Sequence, residues 1–190
     1  MKIKEYQNKT LLKGMSLDEL ESWCKKNNYS TYRATQLFQW MYRHGMQSTD
    51  EIQNMPKKIL NDIDSHYLLS TLSIQKIDKS KNEETQKILF KTLDNQLIES
   101  VSMIDNNRHT ICVSSQIGCN VNCDFCATAK MGLIRNLSVG EIIDQAITIR
   151  KMIDQPITNV VFMGMGEPFL NYKNVSKAAE IMNKKINIGA

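Results

Sequence analysis

The spacing of apolar positions divides the chain into a helical front and a mixed remainder. Ser16-Leu17-Asp18-Glu19 has the form of a capping box, in which a serine hydroxyl and a glutamate carboxylate each satisfy a backbone N–H left over at a helix start. Leu17, Leu20, Trp23 and Cys24 then recur at helical intervals. A second helix is predicted from Tyr32 to His44, with Ala34, Leu37, Phe38 and Met41 on one face and Gly45 as its stop. A third starts near Pro56, a residue tolerated in a first helical turn, and carries Ile59, Leu60 and Ile63. Together they predict a small helical domain over residues 1–70.

From Leu72 the period changes. Leu72 to Ile77 alternates apolar and polar residues, and Lys79 to Glu84 is a polar turn. Lys87–Leu93 and Leu97–Ile104 predict a β-hairpin around Asp94-Asn95, which makes residues 71–108 a connector. His109 falls in a loop and takes no role; Thr110 to Ser114 is a further apolar run that leads into a loop rich in cysteine. Ser138-Val139-Gly140-Glu141 repeats the capping-box pattern and opens an amphipathic helix that continues to Ile153. Pro156 precedes a strand, Asn159 to Met163, then Gly164-Met165-Gly166-Glu167-Pro168 and a helix from about Tyr172 to Lys185. Strand, loop, helix, taken twice, predicts an α/β fold with parallel βα units in residues 109–190. Asn187 to Ala190 reads as the approach to another strand.

Composition narrows the class. Over 190 residues, 42% are hydrophobic and 23% charged, which is globular rather than disordered. No apolar run approaches the ~18 residues that a spanning helix needs, and Met1-Lys2-Ile3-Lys4-Glu5 lacks the apolar stretch of a secretion signal. The expected setting is therefore the reducing cytoplasm, with no membrane partner. The net charge of +4 permits a nucleic-acid partner without demonstrating one.

In a reducing compartment, clustered thiols are more often metal ligands or catalytic groups than disulfides. Of five cysteines, Cys112, Cys119, Cys123 and Cys126 fall close together, and the last three have the spacing C-x3-C-x2-C. Three such thiolates can wrap one iron–sulfur cube and leave one of its four irons open for another ligand. A zinc site with Cys112 as fourth ligand is the competing reading, although structural zinc usually shows two C-x2–4-C knuckles on separate arms. Cys24 sits at core spacing and is expected only to pack.

C-x3-C-x2-C with an aromatic residue before the last cysteine resembles the signature of the radical S-adenosylmethionine (SAM) enzymes. Gly166-Glu167-Pro168, after the next strand, resembles the superfamily motif that contacts the SAM amino group. The strings from Cys112 to Cys119, Phe125-Cys126-Ala127-Thr128, Gly132, Arg135-Asn136-Leu137, Glu141-Ile142, Gln145 and Met163 to Pro168 are together similar to the RNA adenine-C2 methyltransferases. That resemblance spans essentially the whole chain. It implies a partial (β/α) radical SAM barrel, a helical accessory domain that binds RNA, a 4Fe-4S cluster and SAM as cofactors, and ribosomal RNA and tRNA as partners. It also implies a methyl-cysteine intermediate, a monomer, and an electron donor of the flavodoxin type. Adenine C2 is electron-poor, so polar methyl transfer fails there and a radical route is needed. A close relative within the family methylates C8 instead.

The resemblance assigns roles residue by residue. Cys119, Cys123 and Cys126 are cluster ligands, and Gly166 and Glu167 contact SAM. Glu167 would also suit a plain helix-start carboxylate. Glu99 matches the general base, although a glutamate on a hairpin strand is ordinarily just solvated. Cys112 matches the cysteine that helps resolve the RNA adduct; as a free thiol on a strand it would also serve as a small core residue. Met163 and Met165 are expected to fill space near the cofactor. Lys25, Lys26, Arg33, Arg43, Lys57 and Lys58 are positioned to meet RNA phosphates or simply to face solvent. No cysteine follows Cys126, so the methyl-carrying cysteine has no counterpart here. The expectation is the N-terminal part of the enzyme, able to hold a cluster but inactive alone.

Overall fold

A computed structural model describes residues 9–153 and 155–185, so the predicted approach to a further strand at 187–190 lies outside the described residues. The chain divides into two compact units, Met1–Thr71 and Leu72–Ala190.

In the first unit a short strand β1 (Thr10–Leu11) precedes helix α1 (Leu17–Lys26), whose capping box forms as the sequence predicts: Glu19 N donates to Ser16 Oγ and Ser16 N to the Glu19 carboxylate. Helix α2 (Tyr32–Phe38) is shorter than its apolar pattern, because the turn from Gln39 to Arg43 widens to a π-helix. That turn buries Tyr42, whose hydroxyl accepts from Gly14 N and donates to Met15 O, both at 2.8 Å. Helix α3 (Lys57–His66) follows Pro56, and β2 (Tyr67–Leu68) pairs with β1 in parallel. Leu20, Trp23, Cys24, Ala34, Leu37, Met41, Ile59 and Ile63 form the core of this unit, and Cys24 is a packing residue there.

The second unit is built on a five-stranded sheet of order β3-β4-β5-β6-β9. Its strands are β3 (Leu72–Lys79), β4 (Thr85–Thr92), β5 (Leu97–Asp105), β6 (Arg108–Cys112) and β9 (Asn159–Val161). The first four are antiparallel neighbours, and β6 pairs with β9 in parallel. The strands expected as a separate connector therefore share one sheet with the first βα strands. Between β6 and β9 run a two-stranded pair, β7 (Gln116–Ile117) with β8 (Arg135–Asn136), and helix α4 (Val139–Met152); helix α5 (Tyr172–Lys185) follows β9. No helix among the described residues is long and apolar enough to cross a membrane.

Period-two alternation gives the sheet two different faces. Ile88, Phe90, Ile98, Ser100, Ser102, His109, Ile111 and Val160 are buried on the face that meets α4. Two expectations change here. His109 lies on β6 and not in a loop; it is fully buried, with Nε2 2.8 Å from Ser102 Oγ and Nδ1 3.0 Å from the Gln155 carbonyl. Helix α4 is not amphipathic in use, since every residue from Gly140 to Ile149 is buried. Glu141 and Gln145, which suggested an outer face, make internal hydrogen bonds instead. The opposite sheet face carries Lys87, Leu89, Glu99, Val101, Cys112 and Val161, all exposed or half-buried.

Candidate functional site

The cysteine loop closes on itself at a narrow neck. Gln116 pairs with Asn136 and Ile117 with Arg135; Ile134 N then donates to Ile117 O at 2.9 Å and Cys119 N to Gly132 O at 3.2 Å. Gly118 makes this closure possible. Its φ is +73°, and a Cβ there would lie 1.7 Å from the Gly132 carbonyl oxygen. Within the loop Cys119 is buried, Cys123 and Cys126 are half-buried, and Phe125 is 94% exposed.

The Cys126 thiol is biased toward the thiolate. Backbone N–H groups of Ala129 and then Thr128, with help from the Thr128 side chain, lower its pKa against the opposing effect of desolvation. Among the described residues no three Cys, His, Asp or Glu side chains converge tightly enough for a single metal ion. A cluster takes each thiolate on a separate iron, so three thiols spread along one loop can serve it. Three thiols on one pinched loop, one of them favoured as thiolate, fit a 4Fe-4S group.

The turn after β9 lies directly along this neck. Ser115 N and Gln116 N both donate to Met165 O, at 2.8 and 3.1 Å, and Glu167 N donates to Gln116 Oε1 at 2.8 Å. Gly164 and Gly166 permit the approach: a Cβ on Gly164 would meet the Val113 carbonyl at 2.8 Å, and one on Gly166 would meet Gln116 Cβ at 2.4 Å. Glu167 is half-buried and its Oε1 accepts from Phe169 N at 3.0 Å, at the start of a short 3-10 turn. This helix-start contact orients the carboxylate without consuming all of its acceptor capacity.

Glu99 and Cys112 lie on the open sheet face. Val101 sits directly opposite Cys112, so Glu99, two residues along β5, is its diagonal neighbour, a relation that spans roughly 7–8 Å. Burial raises the Cys112 pKa, partly opposed by a hydrogen bond from the Met163 backbone. Glu99 pairs with Lys87 at 3.1 Å and remains about half exposed. It also lines a cavity of about 260 Å³ with Leu89 and Leu97 from the hairpin, Ala127, Thr128 and Met131 from the loop after Cys126, and Met165. The fold thus brings the hairpin, the cysteine loop and the glycine turn around one space. Met165 lines it, whereas Met163 is 79% exposed.

Several supporting residues carried no role in the sequence reading. Gln145, fully buried, bonds Ser100, both backbone groups of Ser114 and Glu141 O. Asn171 donates to the carbonyls of Ser115 and Leu137. Arg135 makes double contacts to Asp94 in the β4–β5 turn and to Glu141 in the first turn of α4, all at 2.8–2.9 Å. The Arg135 guanidinium holds the Asp94 carboxyl down at about 2, and the two carboxylates raise the Arg135 pKa in return. A single glutamine among Ile142, Ile143, Ala146, Ile147 and Ile149 was the available signal for Gln145.

In the first unit Lys25, Lys26, Arg43, Lys57 and Lys58 are exposed. Arg33 is half-buried, stacked over the Tyr32 ring at 4.4 Å, and donates to Gln36 and Asn54 O.

Comparison with known proteins adds an independent line. Residues 10–68 match the ribosomal RNA large subunit methyltransferase N-terminal domain, and residues 113–189 match the radical SAM superfamily. Similar curated proteins include a probable dual-specificity RNA methyltransferase RlmN of Clostridium botulinum (strain Alaska E43 / Type E3), 42% identical over 92% of this chain and 50% of that protein. Another, from Prochlorococcus marinus (strain NATL2A) and of the same description, is 38% identical over 99% of this chain and 52% of that protein. The crystal structure of a radical SAM methyltransferase from Sphaerobacter thermophilus matches with a TM-score of 0.87 and 37% identity, over 93% of this chain and 52% of that one. The chain spans about half the length of the curated relatives it matches.

Proposed function

Because this chain belongs to the radical SAM methyltransferases, with the N-terminal domain of their ribosomal RNA members, we propose that the protein methylates C2 of adenine in ribosomal RNA and tRNA. The observation that carries this reading is the meeting of the cysteine loop, the Met165–Glu167 turn and Glu99 around one cavity. When bound, a 4Fe-4S cluster and SAM supply the radical chemistry that an electron-poor aromatic carbon requires.

The chain's own residues then have distinct tasks. Cys119, Cys123 and Cys126 would hold the cluster, being the three thiols on the loop. The Glu167 carboxylate would pair with the SAM ammonium, and Gly166 would let the backbone approach it. Glu99 takes the proton that methyl addition leaves at C2, with Lys87 aiming its carboxylate. Cys112, diagonal to Glu99, serves the later resolution of the protein–RNA adduct. The methyl-carrying cysteine has no counterpart among the 190 residues, so methyl carriage is assigned to none of them.

The helical unit is the RNA-binding accessory domain, with the exposed lysines of α1 and α3 facing phosphate. A flavodoxin-type protein supplies electrons, and the enzyme works as a cytoplasmic monomer.

The test has two readings. Anaerobically purified protein should be brown and contain iron and sulfide, and mass mapping of RNA modified by the whole enzyme should place the methyl at adenine C2. Zinc without iron would refute the enzyme reading in favour of a zinc-stabilised RNA-binding module. A methyl at C8 would refute the assigned position alone.

A further inference from the structure

Gln116 stands three residues ahead of Cys119 on β7 and is fully buried. Its backbone is part of the neck, in register with Asn136. Its side chain leaves the neck: Oε1 accepts from Glu167 N at 2.8 Å, and Nε2 donates to Asn136 Oδ1 at 2.7 Å. Its Cβ and Cγ fill the space beside Gly166, at 2.4 and 2.7 Å from where a Cβ would be, and its own N–H donates to Met165 O at 3.1 Å. One residue therefore touches the start of the cysteine loop, its end and the turn that carries Glu167.

We propose that Gln116 is a positioning residue that sets the distance between the cluster loop and the SAM-binding turn. The inference rests on the reading of Glu167 as a SAM contact and of the three loop cysteines as cluster ligands. The amino-acid end of SAM is small, so groups that hold it from two sides tolerate little relative movement. A primary amide suits this place because it offers an acceptor to Glu167 N and a donor to Asn136 from one planar group. Leucine offers neither, and leaves the Glu167 N–H without its partner. Glutamate keeps the acceptor, and the Asn136 amide can turn to donate to it.

The experiment compares Gln116→Leu, Gln116→Glu and Glu167→Gln in the cluster-loaded protein. Gln116→Leu should keep wild-type iron and sulfide, because no thiol is altered. Its SAM affinity, read from the change SAM makes in the EPR spectrum of the reduced cluster, should fall about tenfold or more. In the protein without its cluster, the Glu167 amide should exchange with deuterium about tenfold faster in Gln116→Leu than in the wild type. Gln116→Glu should recover part of both. Wild-type SAM affinity in Gln116→Leu beside weak binding in Glu167→Gln would overturn the proposal alone. Iron lost in step with SAM affinity would overturn it too, by reducing Gln116 to a role in loop folding. Wild-type SAM binding by Glu167→Gln would overturn the Glu167 assignment, and the proposal with it.

Discussion

Replacing Gln145 by leucine tests the buried network behind the site. The glutamine Oε1 accepts from Ser100 Oγ at 2.7 Å and Ser114 N at 2.8 Å; its Nε2 donates to Ser114 O at 3.0 Å and Glu141 O at 3.2 Å. Ser114 passes the connection on, donating from Oγ to Glu99 O at 2.6 Å and accepting from Met165 N at 2.9 Å. Leucine nearly fills the same volume, so the cavity term is small. It leaves the Ser100 hydroxyl and the N–H and C=O of Ser114 without these partners in a site closed to water. Each such group costs about 1–3 kcal/mol, and the low end for all three gives about 3 kcal/mol. At roughly 2–4 °C per kcal/mol for a protein of this size, Tm should fall by about 6–12 °C. Circular dichroism melting of the protein without its cluster measures this directly, and amide exchange at Ser114 should quicken in the same variant. A Tm within about 2 °C of wild type, with Ser114 still protected, would refute the claim that this network carries the strand–turn arrangement.

Three further outcomes follow from the geometry. Gly118→Ala should abolish iron uptake, since its Cβ has no room beside the Gly132 carbonyl; normal iron content in that variant would show that the neck opens freely. Asp94→Asn should lose about 1 kcal/mol of stability near neutral pH, a value discounted because the carboxylate is about half exposed. The Asp94 pKa is held at about 2, below its ordinary 3.8, so its contribution is present above about pH 4 and disappears as pH falls toward 2. Urea unfolding of both proteins across that range checks the sign, and a constant difference would count against the Arg135 pairing as its source. Glu99→Gln should keep the cluster and SAM binding yet slow RNA methylation about 10²–10⁴-fold in the whole enzyme; undiminished methylation would remove Glu99 from proton transfer.

How far the residues announced their structure follows from the range of the forces involved. Both capping boxes form as the sequence predicts, because Ser16 with Glu19 and Ser138 with Glu141 satisfy each other within one turn. The hairpin around Asp94-Asn95 is legible for the same reason, with Asn95 taking the positive φ that the turn needs. C-x3-C-x2-C is likewise a local statement: three thiols within eight residues share a loop whatever surrounds them. The widened turn at Gln39–Arg43 was not legible, since it depends on Tyr42 reaching Gly14 and Met15 in a distant segment.

What sequence alone determined was therefore the kind of chemistry: the cysteine triplet, the glycine turn before Glu167, and the order of helices and strands. Tertiary structure decided where that chemistry meets. It merged the hairpin with the first parallel strands into one sheet, placed Glu99 and Cys112 on its open face, and buried α4 on every side. It also gave Gln116, Arg135 and Gln145 their tasks, because each joins segments dozens of residues apart. A polar side chain carries no mark of its partner in its own neighbourhood; only packing that excludes water makes that partner obligatory.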